Sequence, residues 1–201
     1  MKLLHLLLLF PVLSLPTSLR GADLVSGEST FFFTSSPNSW IGQGRTVLAA
    51  TTNGFEFTAQ RNAFNGVSLA VTSPYDQWFL DFAAADGALL NPGSYFGAMR
   101  FPHQLPGVPG MSFHTDTREN NTLIGFFEVL AVDYGPGNTV VHFDANFLQY
   151  DDRLAQRWNQ GAIRFVAVPE PSVLVLASVG LLALCFGRRF RFCKETFRRR
   201  S

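Results

Sequence analysis

Between residues 23 and 168 the chain contains no cysteine and no lysine. Both cysteines, Cys185 and Cys193, lie near the C-terminus, so the region before them has no disulfide, no thiolate nucleophile and no cysteine metal site. Its only permanent cations are seven arginines, set against thirteen acids, which leaves six negative charges. The formal charge of +1 for the whole chain therefore averages an acidic middle with a basic end. Nucleic-acid binding requires a basic footprint that neutralises phosphate, and the middle region has none. Also missing are a G-x-S-x-G elbow, an H-E-x-x-H helix, a phosphate-binding glycine loop and EF-hand spacing. No internal repeat is evident, and at about 146 residues the region is long enough for one sizeable core without staples.

The two ends are of different character. Lys2 is followed by Leu3 to Leu15, thirteen residues of which eight are leucine, broken only by His5, Pro11 and Ser14. A charged start before a short apolar run has the form of a secretory signal, expected to occupy residues 1–22 with maturation between Ser18 and Ala22. At the other end, Val173 to Gly187 is an uncharged, mostly aliphatic run that would form a helix of about 22 Å. That is short against a hydrocarbon core of about 30 Å. Arg188, Arg189 and Arg191 follow at once, and their side chains can snorkel to the headgroups and lengthen the span. A transmembrane helix is expected over 173–187, and the basic tail 188–201 is expected to stay cytoplasmic, with the preceding region outside.

The tail, "VPEPSVLVLASVGLLALCFGRRFRF", resembles a PEP-CTERM sorting signal: the motif Val168-Pro169-Glu170-Pro171, a short apolar helix, and an arginine cluster in that order. The resemblance spans 168–201, with residues 190–201 extending past the usual short basic end. It implies recognition by an exosortase, a membrane-embedded cysteine transpeptidase of Gram-negative bacteria that also make exopolysaccharide. The tail is then a processing substrate that passes through the inner membrane, and the domain ends at the cell surface or in the extracellular matrix. Physical reasoning agrees with an accessible motif, because two prolines flanking Glu170 fix the backbone angle and remove amide donors, holding the segment extended outside the helix.

Within 23–167 short β-compatible segments recur between Gly, Pro, Asn and Asp. In "GFEFTAQR", Phe55, Phe57 and Ala59 alternate with Glu56, Thr58 and Gln60; in "WFLDFA", Trp78, Leu80 and Phe82 share a face opposite Asp81. "TVVHFDANF" groups Val141, Phe143, Ala145 and Phe147 against His142, Asp144 and Asn146. Further strands are expected at Ser29 to Thr34, Thr46 to Ala50, Val67 to Thr72, Ser94 to Phe101, Met111 to His114, Thr122 to Tyr134 and Gly161 to Val168. Gly135-Pro136-Gly137-Asn138 forms a hairpin turn between two of them, and only Arg153 to Gln160 suggests a helical turn. Some ten strands without βαβ alternation predict an all-β domain, a single antiparallel β-sandwich or jelly roll.

The segments "LNPGSYFGAMRFP", "NTLIGFFEVL" and "FDANFLQY" are also similar to an uncharacterised bacterial exported domain. That domain commonly has one cysteine just before the N-T-L segment and another just after the F-x-Q segment. Asn120 and Asp151 occupy those places here, so the resemblance implies a β-domain without that disulfide and supplies no activity.

Candidate acids and bases are His103, His114, Asp116 and Glu119 in one loop region, His142 with Asp144 on one strand face, and Asp151 with Asp152. Glycosidase chemistry needs two carboxylates at a defined separation, but any exposed loop of such a domain supplies several by chance, and solvated loop and strand-face charges are the expected role of these residues. Asp116, Glu119, Asn120 and Asn121 offer oxygens to calcium, but Asp and Asn also build turns. His142 and Asp144 point the same way, yet two ligands do not make a metal site. Trp40, Trp78, Tyr95, Tyr150 and Trp158 are candidates for a sugar-stacking platform against exopolysaccharide, with core packing the competing role. The expectation is a non-enzymatic exported protein with no cofactor and no metal, and a carbohydrate-binding module as the alternative.

Overall fold

The computed structural model describes residues 27–168, so the expected signal peptide, Pro169 to Pro171, the expected helix at 173–187 and the arginines at 188, 189 and 191 lie outside the described residues. The chain divides into two compact units at Val166, and the first holds ten strands. These are β1 (Thr30–Ser35), β2 (Thr46–Ala50), β3 (Glu56–Arg61), β4 (Val67–Thr72), β5 (Gln77–Ala83), β6 (Gly93–Arg100), β7 (Gly110–Thr115), β8 (Leu123–Tyr134), β9 (Val140–Asp151) and β10 (Trp158–Val166). Among the described residues there is no α-helix and no helix long and apolar enough to cross a membrane, only two 3-10 turns at Thr51–Asn53 and Ala85–Gly87.

All ten strands belong to one hydrogen-bonded sheet in the order β2-β1-β10-β9-β8-β6-β7-β5-β4-β3. The all-β expectation holds, but the two separate sheets of a sandwich do not appear. The continuity depends on a thin seam: β6 and β7 pair in parallel at only Met99↔Gly110 and Arg100↔Met111, while every other neighbouring pair is antiparallel. Strand twist accumulated over ten strands rolls the sheet towards closure. Edge strand β3 reaches the β8–β9 turn through a Gln60↔Thr139 bridge and an Arg61 amide donating to the Asn138 carbonyl at 2.8 Å. Near the other edge, Arg45 beside β2 grips Asp76 in the β4–β5 turn with two hydrogen bonds of 2.8 and 2.9 Å. Tying both edges to the body limits the pairing of either with a second chain.

Rolling brings β1 and β9 opposite β5 and β7, and the gap is filled by aromatic rings. Phe33 meets Trp78 edge-on at 4.7 Å, Phe31 meets Phe113 at 5.9 Å, and Phe82 lies 5.5 Å from Phe143. The alternation expected for Trp78, Leu80 and Phe82 is therefore observed as burial of all three. In β9, Phe143, Ala145 and Phe147 are buried as expected but Val141 is exposed and Val140 is buried in its place. A register shift between Asp133 and Tyr134 of β8 explains the exchange, since one extra residue flips the alternation. A similar shift at Gly97, whose φ of 67° suits glycine, turns Ala98 inward between Phe96 and Met99. The helical turn expected at Arg153 to Gln160 is instead a short loop followed by the first residues of β10, which pairs with β9 from Trp158↔Tyr150 onward.

Candidate functional site

The proposed stacking aromatics are not brought together. Trp78 is 1 % exposed and packs on Phe33 and Phe113, with the Arg45 guanidinium 5.1 Å from its ring centre, so it belongs to the core and cannot meet a ligand. Tyr95 stacks on Phe127 at 4.6 Å and its hydroxyl donates to the Asn91 carbonyl. Trp40 is 51 % exposed in the β1–β2 loop, whereas Trp158 is half-buried at the start of β10. No aromatic contact among the described residues joins Trp40, Tyr95 and Trp158. The outer sheet face instead carries Phe96, 72 % exposed, resting on Phe126 at 4.8 Å with Leu148 next to Phe126 in register.

The candidate acids and bases also separate. Glu119 is held by Arg100 at 2.8 Å, and Asn120 is buried, so the oxygens considered for calcium do not converge. His142 lies between Asp144, 3.3 Å from its Nε2, and Asp133, 3.6 Å from its Nδ1. The carboxylates are on opposite sides of the ring, and among the described residues no group of three His, Asp or Glu side chains is arranged to hold a metal ion. His114 stacks on Phe79 in an open cleft of roughly 380 Å³ that the loop from Thr115 to Glu119 completes. Burial alone would push its imidazole pKa down, but the Asp81 carboxylate, 3.7 Å from Nε2, and the Thr115 carbonyl, 3.0 Å from Nδ1, favour the cation and raise it overall. Ser68 Oγ donates to the far oxygen of Asp81. The carboxylate thus sits between hydroxyl and imidazole, an order in which the histidine cannot take the serine proton, as a hydrolytic triad requires.

The densest polar constellation is buried under the β1–β2 loop. Asp151, at the end of β9, is 0 % exposed, and among the described residues no cation is bonded to it. Its Oδ2 accepts from Ser39 Oγ at 2.7 Å and from the amides of Trp40 and Ile41 at 2.9 and 3.4 Å. Its Oδ1 accepts from Asn120 Nδ2 at 2.6 Å, Asn159 Nδ2 at 2.8 Å and Gln149 Nε2 at 3.1 Å. Six donors aimed at one carboxylate replace the water it gives up on burial, and because all are N–H or O–H groups they leave no lone pair for a metal ion. Gln149 extends the network, bonding both the amide and the carbonyl of Phe113 across the core. Asn120 and Asp151, the positions of the two cysteines in the resembled domain, are thus joined by a hydrogen bond.

Sequence reasoning missed Ser39, Gln149 and Asn159 as partners of Asp151. A signal was present: Gln149 and Asp151 continue the dry face of Phe143, Ala145 and Phe147, and Asn159 continues that of Ile163 and Phe165. Polar residues in phase with a buried face must find one another inside.

Immediately beyond the last strand, residues 167–191 match the family model described as the PEP-CTERM protein-sorting motif. This bears out the resemblance of the tail and supports exosortase-dependent sorting of an exported protein; the match does not extend into the β domain. No curated protein and no solved structure matches the chain.

Proposed function

We propose, from the PEP-CTERM protein-sorting motif that the chain carries at 167–191, that it is a non-enzymatic protein of a Gram-negative envelope or extracellular matrix, delivered by exosortase processing. The observation that carries this reading is the position of the motif. It begins one residue after β10 ends, so the β domain is complete before the recognition segment starts. Val168, the first residue of the sequence motif, is exposed, and proline at 169 and 171 disfavours helix and removes two amide donors, a composition suited to recognition in extended form. The signal peptide takes the chain across the inner membrane; the apolar run 173–187 and Arg188, Arg189 and Arg191 hold it there until it is cut.

Mass spectrometry of the C-terminal peptide, taken from the protein in its own host, tests the proposal. A terminus near Pro169 to Pro171 is expected, and any added mass identifies what the domain is attached to. An intact Arg200-Ser201 end in the membrane fraction would refute it and leave a conventional single-pass anchor.

A second reading, polysaccharide binding, is favoured by the exposed Phe96 ring on Phe126 rather than by the tryptophans, because an open aromatic face is what a sugar stacks on. Retention on the host's exopolysaccharide that falls on Phe96→Ala supports it; a folded wild-type protein that is not retained removes it.

A further inference from the structure

The register of β6, β8 and β9 sorts the outer face around Phe96 into rows. Phe96 lies opposite Phe126 and Phe126 opposite Leu148, so two rings and an aliphatic side chain cross the three strands side by side. Two residues along each strand, and therefore on the same face, a second row follows in the same strand order: Ser94, Glu128 and Asn146. With strands about 4.8 Å apart and about 3.3 Å per residue, the two rows run across the strands about 6.6 Å from each other. The first row is uncovered at Phe96, 72 % exposed, with Phe126 and Leu148 partly exposed beside it. In the second, Ser94 is exposed and Glu128 and Asn146 are partly so. None of these three side chains has a hydrogen bond or an ion pair among the described residues, so their donors and acceptors face solvent.

We infer that this face binds a linear, uncharged polysaccharide laid across the strands, its sugar rings on Phe96, Phe126 and Leu148 and its hydroxyls on Ser94, Glu128 and Asn146. The inference rests on the polysaccharide reading above and adds to it a second row of contacts and the charge of the ligand. A pyranose is two-sided in the same way as the rows: its C–H groups form an apolar face that packs on an aromatic ring, while its hydroxyls project around the rim. The Glu128 carboxylate accepts hydroxyls in charge-assisted bonds, and the Asn146 carboxamide and the Ser94 hydroxyl both donate and accept. An apolar strip alone would suit a protein or a lipid as well. The open hydrogen-bonding row beside it is what selects a polyol.

Charge decides the class of polysaccharide. Arg100 at the end of β6 and Arg164 of β10 already stand against acids, Glu119 and Asp144. Residues 23–168 as a whole hold thirteen acids against seven arginines. A polyanionic chain would bring its carboxylates against Glu128 with no free cation to offset them, and like charges placed together in an interface cost affinity. An uncharged chain meets no such penalty and turns the same carboxylate into an acceptor.

The test is binding of the mature protein, purified from its host, to the host's exopolysaccharide after anion exchange has separated it into an uncharged and an acidic fraction, each immobilised on beads. Retention on the uncharged fraction is expected, and it should not change between about 50 and 500 mM salt, because no ion pair is screened. Phe96→Ala and Asn146→Ala, both at solvent-accessible positions, should each weaken it by about tenfold. Retention on the acidic fraction, alone or as strong as on the uncharged one, overturns the inference and leaves polysaccharide binding standing. A loss on Phe96→Ala with none on Asn146→Ala also leaves that reading but removes the second row. Retention that Phe96→Ala does not reduce puts the sugar elsewhere and overturns the site. A protein shown folded by circular dichroism and retained on neither fraction removes the inference and the reading together.

Discussion

Replacing Trp78 separates core packing from ligand stacking more sharply than any other substitution. The ring is sealed between Phe33 and Phe113, and Arg45 covers it. Trp78→Ala leaves a cavity that the rolled sheet cannot collapse, because the walls belong to strands tied at both edges. A loss of about 3–5 kcal/mol is expected, the range for large aromatic truncations, out of a total of about 5–15 kcal/mol for a domain of this kind. Trp78→Phe should behave differently. The indole Nε1 is buried without a hydrogen-bond partner, so phenylalanine gives up some packing but also removes an unsatisfied donor that costs about 1–3 kcal/mol. The two effects oppose, and a net change within about 1 kcal/mol is expected. Urea unfolding followed by far-ultraviolet circular dichroism reads both. With a slope of about 2 kcal/mol per molar urea, the alanine midpoint should fall by about 1.5–2.5 M and the phenylalanine midpoint by less than about 0.5 M. An alanine variant with an unchanged midpoint would show that the ring is not part of the core and would refute the reasoning.

Other consequences are open to measurement. Asp151→Asn is nearly isosteric but turns one oxygen into an NH₂ group facing three donors, so it should destabilise by about 2–4 kcal/mol; a midpoint within error of wild type would show that the network does not need two acceptors. Gly66→Ala would place a methyl 1.9 Å from the Phe82 carbonyl oxygen and 2.8 Å from the Ala83 Cα, both backbone, so a loss of about 1–3 kcal/mol is expected, and a neutral result would mean that β4 and β5 are farther apart. The raised pKa of His114 means that its contribution is complete below the ordinary imidazole value and disappears as pH rises through the folded one. The melting-temperature gap between wild type and His114→Gln should therefore be wider at about pH 5.5 than at about pH 8.5, and a gap that does not vary would rule out an ion pair with Asp81. Pro169→Ala combined with Glu170→Ala should block tail removal in the native host, as judged by the mass of the C-terminal peptide; normal processing would show that the motif is not what the enzyme recognises.

Local chemistry alone carried the C-terminal sorting motif and the strand count. The sorting segment is legible because its three parts are contiguous in the sequence. Strand positions and their dry faces follow from period-two alternation, a property of each segment by itself, as Trp78-Leu80-Phe82 and Phe143-Ala145-Phe147 show. Tertiary structure decided the rest. A single rolled sheet instead of a sandwich depends on two residue pairs between β6 and β7, which no local pattern announces. The exchange of Val140 for Val141 depends on one extra residue of β9 where it passes Asp133 and Tyr134 of β8. Trp78 faced the core and not a sugar because β1 lies over it and β7 flanks it, and alternation says which side is dry without saying what closes it. Ser39, Asn120, Asp151 and Asn159 stand far apart in sequence and acquire their chemistry only when the β1–β2 loop closes over the ends of β9 and β10, where exclusion of water makes each polar atom depend on the others.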